Sequence, residues 1–203
     1  MLNRFTRVYT TKIMTPVARL LLRLGVSPDA VTLVGTIGVC VGALAFFPRG
    51  QLFWGTVFVT AFVFSDTLDG VMARLSGRTS LWGSFLDSTL DRIGDGAVFA
   101  GLVLYFATGD QHVLAGVTLA CLVLGGVVSY AKARAESLGF TANVGVAERA
   151  DRLVSTLVAA GLSGLGVPYL LAVVLWVLAA LTAFTVLQRM LVVRRQALGA
   201  REP

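Results

Sequence analysis

The chain of 203 residues is 56% apolar and only 14% charged, with a mean hydropathy of +0.82, which excludes an ordinary soluble domain and points to a polytopic membrane protein. Its formal net charge of +6 would suit a nucleic-acid partner, but the cations cluster between apolar stretches, as at the cytoplasmic face of a membrane, so no nucleic acid is expected. Cys40 and Cys121 lie inside apolar runs without metal spacing, which argues against a disulfide framework and for buried small side chains.

In residues 1–25 the cations Arg4, Arg7, Lys12, Arg19 and Arg23 alternate with Phe5, Val8, Ile13, Val17 and Leu20 to Leu22, the pattern of an amphipathic helix lying in the membrane interface. The same cations interrupt the segment before an apolar h-region develops, so no cleaved signal peptide is expected. Ser27, Pro28 and Asp29 then make a helix start, with Pro early and an acid in the first turn.

A helical span needs ~20 apolar residues. Six such spans are predicted, at 30–47, 52–72, 84–107, 112–131, 147–165 and 169–188. The expected architecture is an all-α integral membrane domain over 26–196, preceded by the juxtamembrane segment 1–25 and followed by a tail at 197–203. Outside the spans, five cations precede the first helix, Arg49 is in the first loop, and Arg74 and Arg78 are in the second. Lys132 and Arg134 follow the fourth span, and Arg189, Arg194, Arg195 and Arg201 follow the sixth, with none in the third and fifth loops. That alternation predicts a multi-pass protein of the cell membrane with both termini in the cytoplasm. The fifth span is short, its clean apolar run being Leu153 to Leu165. To cross, it must draw in Val146, Glu148, Arg149, Asp151 and Arg152, placing charge inside the protein beside a cavity; a tilted short helix with these charges among the headgroups is the alternative.

Between the second and third spans stands D-x2-D-G-x2-A-R-x8-G-x3-D-x3-D, formed by Asp66, Asp69, Gly70, Ala73, Arg74, Gly83, Asp87 and Asp91. An ionised carboxylate at membrane depth costs at least ~2.5 kcal/mol, so a cluster of them implies bound metal or substrate. Asp66 and Asp69 at i,i+3, and Asp87 and Asp91 at i,i+4, each project from one helix face, and two such faces brought together make a four-carboxylate pocket. Oxygen donors of this kind suit hard divalent cations. Gly70 and Ala73 keep the helix narrow beside Asp69, and Gly83 is expected to permit the sharp turn into the third span. Spacing alone does not rank the four acids.

The pattern resembles the signature of the CDP-alcohol phosphotransferases, integral membrane enzymes that join a CDP-linked alcohol to an acceptor hydroxyl and release CMP. The resemblance implies two Mg²⁺ ions, with Mn²⁺ as a substitute, held mainly by Asp66, Asp69 and Asp87, and Asp91 as a further metal contact and the general base. It also implies that Asp29, Ala30, Val31 and Thr32 at the first helix start, together with Gly70, Ala73, Arg74 and Ser80, bind CDP-diacylglycerol, although a plain N-cap explains the helix start equally well.

The acceptor is addressed by the second half. Lys132 and Arg134 in S-Y-A-K-A-R-A-E, Arg149 and Arg152 in E-R-A-D-R, and Arg189 in L-Q-R all fall at predicted cytoplasmic helix ends, where an inner trio of cations suits a phosphate on the acceptor. For Arg134, Arg194 and Arg195 membrane topology is the better explanation. These stretches are similar to the actinobacterial phosphatidylinositol-phosphate synthases, a resemblance that covers nearly the whole chain. It implies that Lys132, Arg152 and Arg189 hold the phosphate of myo-inositol phosphate, that CDP-diacylglycerol is the donor, and that the enzyme is a homodimer, for which Gly94, Gly96, Gly101, Gly125 and Gly126 would allow close helix contact. The alternatives are phosphatidylglycerophosphate synthesis from glycerol phosphate and, in another class, an intramembrane cation or proton carrier.

Overall fold

The computed structural model describes residues 14–77 and 80–199, and of Asp66 and Thr67 the backbone alone. Residues 1–13 of the expected interfacial helix, Arg78, and residues 200–203 of the expected tail lie outside the described residues. Those described are helical, with no strand among them.

The first helix, α1, covers 14–23 and packs through Ala18 on Val71 and Met72, leaving Val17, Leu20 and Leu24 exposed. Ser27 caps α2 (Pro28–Phe46) by accepting the Ala30 amide at 3.2 Å, and Pro28 occupies a position whose amide would have no helical partner anyway. A 3-10 turn (Phe47–Arg49) leads into α3 (Leu52–Val63) and α4 (Ser65–Ser76). The second expected span is therefore interrupted at Phe64. There Ser65 donates its hydroxyl to the Phe62 carbonyl at 2.6 Å, competing with the helix ladder, and Gly35 of α2 makes room for that hydroxyl. Next come α5 (Leu81–Thr108), α6 (His112–Ser137), α7 (Arg149–Gly164) and α8 (Leu170–Gly199). The last helix runs past residue 196, where the tail was expected to begin.

Among the described residues four helical runs, Pro28–Arg49, Leu52–Ser76, His112–Ser137 and Leu170–Gly199, are long and apolar enough to cross a membrane. The other two long helices differ in kind. α5 carries Asp87, Asp91, Arg92 and Asp95 in its first half. α7 has 16 residues, or ~24 Å against a hydrocarbon core of ~30 Å. Val146 and Glu148, expected inside this helix, remain outside it. Glu148 is its N-cap and forms a reciprocal capping box with Asp151, so the chain starts the helix where its first amides find acceptors.

Packing is sequential and crossed: α2 lies on α3, α4 and α5, α6 on α5 and α8, and α7 on α3 and α8. Phe47, Leu102, Cys121, Leu157 and Leu175 belong to the buried core. The α2–α5 approach is set by Gly101, where a Cβ would come within 2.5 Å of the Ala43 carbonyl oxygen. Gly101→Ala is therefore expected to destabilise the detergent-solubilised protein by about 1–3 kcal/mol, the cost of overpacking a rigid backbone contact. Thermal unfolding beside Gly116→Ala, whose Cβ would meet nothing within 4 Å, checks this.

Candidate active site

Two cavities open along the first half of α5. The smaller, about 390 Å³, is lined by Asp69, Gly70, Ala73 and Arg74 from α4, Asp29 and Thr32 from α2, and Ser80, Gly83, Ser84 and Asp87 at the start of α5. Asp69 is 7% exposed, and Thr32 donates its hydroxyl to Asp69 Oδ2 at 2.5 Å, tying the α4 carboxylate to α2. Ala30 and Val31 fall outside the lining; Val31 packs instead beside Ala18, Val71 and Met72.

Local sequence explains the walls. Ser80 caps α5 by accepting the Gly83 amide at 2.9 Å, which leaves its proton available for another acceptor. Gly83 lies within α5 and does not make the turn. That turn rests on Gly77, the α4 C-cap, whose φ of 64° is the left-handed conformation glycine favours. What Gly83 provides is space: a Cβ there would stand 3.3 Å from Ser80 Oγ and 3.8 Å from Asp29 Oδ1. Gly70 similarly leaves room for Arg74, whose Nη1 lies 3.5 Å from a hypothetical Cβ.

Asp91, one turn beyond Asp87, lines the larger cavity of about 710 Å³ together with Lys132, Arg149, Arg152 and Arg189. The structure thus brings Asp91 together with the expected acceptor trio, while Asp69 and Asp87 share the smaller cavity. The Asp66 side chain lies outside the described residues, and among those described no three candidate ligands are gathered into one metal cluster. Asp69 and Asp87 are nevertheless oxygen donors facing one cavity from two helices, a donor set that fits a hard divalent cation.

Arg152 and Arg189 are 3% and 4% exposed. Arg152 donates Nη1 to the Ala147 carbonyl at 2.9 Å and lies against Gly125, where a Cβ would be 3.2 Å from its Nε. Arg189 donates Nε to the Val144 carbonyl at 2.9 Å and Nη1 to the Val128 carbonyl. Among the described residues neither arginine, nor Lys132, forms an ion pair. The loop before α7 is in turn pinned to α8, since Val146 and Ala147 donate their amides to Thr185 Oγ1 at 3.3 Å.

Arg149 lies outside the expected trio, yet its Nη2 is 2.9 Å from Asp91 Oδ1 and its Nε donates to Asp95 at 3.1 Å. The signal was its i,i+3 spacing from Arg152, which places both on one side of α7. Asp95, beyond the signature, also lies within 4.0 Å of Arg92. Of the five glycines expected to allow contact with a second copy, three are used within the chain: Gly101 meets Ala43, Gly94 lies near Val39, and Gly125 accommodates Arg152, whereas a Cβ at Gly96 or Gly126 would meet nothing within 4 Å.

Known proteins match this arrangement along nearly its whole length. Residues 25–184 match the sequence model of the CDP-alcohol phosphatidyltransferase family. The phosphatidylinositol phosphate synthase of Streptomyces avermitilis is 53% identical, covering 98% of this chain and 85% of that protein. The crystal structure of the Mycobacterium tuberculosis phosphatidylinositol phosphate synthase with CDP-DAG bound superposes with a TM-score of 0.85 at 44% identity, covering 90% of this chain and 94% of the other. The structure of that enzyme with manganese and citrate gives a TM-score of 0.86 at 45% identity, covering 89% and 88%. A family match over most of the sequence, relatives of this identity and a shared backbone agree with the aspartate signature at α4 and α5, and the chain belongs to the CDP-alcohol phosphatidyltransferase family of enzymes.

Proposed function

We propose that the protein transfers the phosphatidyl group of CDP-diacylglycerol to a hydroxyl of myo-inositol phosphate and releases CMP. The observation that carries the acceptor is the pair of buried arginines, Arg152 and Arg189, beside Lys132 and Asp91 and without a carboxylate partner among the described residues. Asp95 near Arg152, and Glu136 and Glu148 near Arg189, offset this charge only from beyond ion-pair distance, and incompletely paired buried charge costs several kcal/mol per ion. A phosphate on the acceptor supplies the missing counter-charge, whereas an uncharged polyol does not.

In this reading the smaller cavity takes the CDP end of the donor, bordered by Asp29, Thr32, Gly70, Ala73, Arg74 and Ser80, with Arg74 offering a planar fork to a phosphate. Asp66, Asp69 and Asp87, with Asp91 in reach, hold two Mg²⁺ ions, or Mn²⁺, and Thr32 keeps Asp69 oriented. Bound metal supplies charge neutralisation at the diphosphate. Asp91 accepts the proton of the attacking hydroxyl; the hydroxyl oxygen bonds to the phosphorus carrying diacylglycerol, and that phosphorus loses its bond to the CMP oxygen. Placement in the cell membrane goes with this reading, with α5 and α7 as the third and fifth of six spans, residues 1–25 in the interface, and the termini and both cavities at the cytoplasmic side. The cation clusters at alternate helix ends support that orientation. A homodimer completes the proposal.

The test is an assay of purified protein in CDP-diacylglycerol micelles with Mg²⁺ and either radiolabelled inositol phosphate or radiolabelled glycerol phosphate. Label is expected in lipid, with one CMP released per lipid formed, from inositol phosphate. Faster incorporation from glycerol phosphate would reassign the acceptor, and cation flux without CMP would reassign the class. The metal assignment has its own check. Asp69→Ala is expected to weaken metal-dependent CDP binding by at least the ~10- to 100-fold that outer-shell changes cost at metal sites, and an unchanged metal titration would remove Asp69 from the ligand set.

A further inference from the structure

Beside the exposed Glu136 and Glu148, the charges lining the larger cavity fall into two sets. Lys132, Arg152 and Arg189 have no ion pair among the described residues. Arg149 and Arg92 are instead engaged with two acids of α5. Arg149 places Nη2 at 2.9 Å from Asp91 Oδ1, and its Nε reaches both oxygens of Asp95, at 3.1 and 3.3 Å. Arg92 stands behind them, 3.7 Å from Asp91 and 4.0 Å from Asp95, and donates to Ser129 of α6. Two arginines and two aspartates cancel, so this set adds no net attraction for a phosphate.

Its geometry suits another task. α7 packs on α3 and α8, and α5 packs on α2 and α6, so the Arg149 guanidinium links two helices held by different neighbours. Arg149 is in the first turn of α7, and Arg152 follows it by three residues on the same side. Asp95 follows Asp91 by four residues on the same side of α5. A bond between Asp95 and Arg149 therefore fixes the distance from Asp91, where the acceptor hydroxyl is to be activated, to Arg152, where its phosphate is to be held. Asp95 and Arg149 are half-buried, and a planar guanidinium sharing its donors between two carboxylates is far stiffer than a lysine in the same place.

We propose that Asp95 and Arg149 form a positioning couple that sets the span between Asp91 and Arg152 and so selects acceptors by the separation of their hydroxyl and phosphate. The inference rests on the acceptor reading above. A cyclitol phosphate holds hydroxyl and phosphate apart on a rigid ring. Glycerol phosphate joins them by a flexible chain that tolerates a changed span. Loosening the couple should penalise the ring and spare the chain.

The experiment measures kcat and KM for inositol phosphate, for glycerol phosphate and for CDP-diacylglycerol in wild type, Asp95→Asn, Arg149→Lys and the double variant, each checked for membrane insertion. Asp95→Asn and Arg149→Lys are expected to raise the inositol-phosphate KM about tenfold, the scale of one weakened charge-assisted bond, while the donor KM stays within about twofold. The preference for inositol over glycerol phosphate should fall by a similar factor, and the double variant should be little worse than Arg149→Lys alone, because that variant already disturbs the Asp95 bond along with the contact to Asp91. A purely structural role would lower activity on both acceptors alike and leave their ratio unchanged. An unchanged ratio, additive effects, or failure of both single variants to insert would overturn the couple. If wild-type protein itself does not use inositol phosphate, the acceptor reading falls; if it does and the variants keep its selectivity, the couple alone falls.

Discussion

Asp91→Asn is expected to reduce phosphatidyl transfer by about 10²- to 10⁴-fold, the usual effect of removing a positioned base. Asparagine keeps the size of the side chain and an oxygen able to accept from Arg149, whose Nη2 is 2.9 Å from Asp91 in the native protein, so the bridge to α7 has a route to survive. What is lost is the capacity to take a proton from the acceptor hydroxyl. CDP-diacylglycerol binding should change little, because the residues assigned to the donor line the neighbouring cavity. Single-turnover kinetics with a parallel donor-binding assay separate these effects. Near-native turnover would remove Asp91 from the role of base. An equal loss of donor binding and metal response would instead make it chiefly a ligand.

Arg152→Gln should raise the inositol-phosphate KM about ten- to a hundredfold, from the roughly 1.5–3 kcal/mol of a lost charge-assisted hydrogen bond. Arg152 is the informative member of the trio because it is 3% exposed in the first turn of α7, a position that topology alone does not require. Glutamine can still donate toward the Ala147 carbonyl, which Arg152 reaches at 2.9 Å, so local folding is protected while the positive charge is removed. Lys132→Gln and Arg189→Gln belong to the same comparison, and the three should move acceptor KM in one direction while donor KM holds. Properly inserted Arg152→Gln protein with native acceptor kinetics would leave phosphate recognition to other residues.

Much of this was legible in the chain. Ionisable residues in an apolar setting are costly enough to announce themselves, so the aspartate signature identified the enzyme family without any view of the fold. The helical stretches followed from apolar run length, and Ser27 with Pro28 marked the start of α2 as capping chemistry predicts. The short fifth helix was visible as a deficit of apolar residues, and with it the expectation of a cavity beside Arg152.

Other features depended on which surfaces meet. Helical spacing places Asp87 and Asp91 on one face, but it does not say that Asp87 opens toward Asp69 and Asp91 toward the buried arginines; that follows from α4 being held on α2, and α8 on α6, at the two cavities beside α5. Gly83 read as a turn residue because glycine signals φ freedom, whereas its value here is the space left for Ser80 and Asp29, a steric fact with no local signature. Arg149 read as one of the cations grouped at the acceptor end, and its pairing with acids did not show, because Asp91 and Asp95 come from a helix more than fifty residues earlier. Composition and spacing determined by themselves the membrane class and the kinds of donor atom available, since these depend on transfer energies and on the helical repeat alone, and the family came from the resemblance of the aspartate signature. The partition of charges into a neutral bridge and an unpaired cationic pocket was decided only by the tertiary structure, because ion pairing turns on distances of a few ångströms between segments whose separation along the chain carries no trace of them.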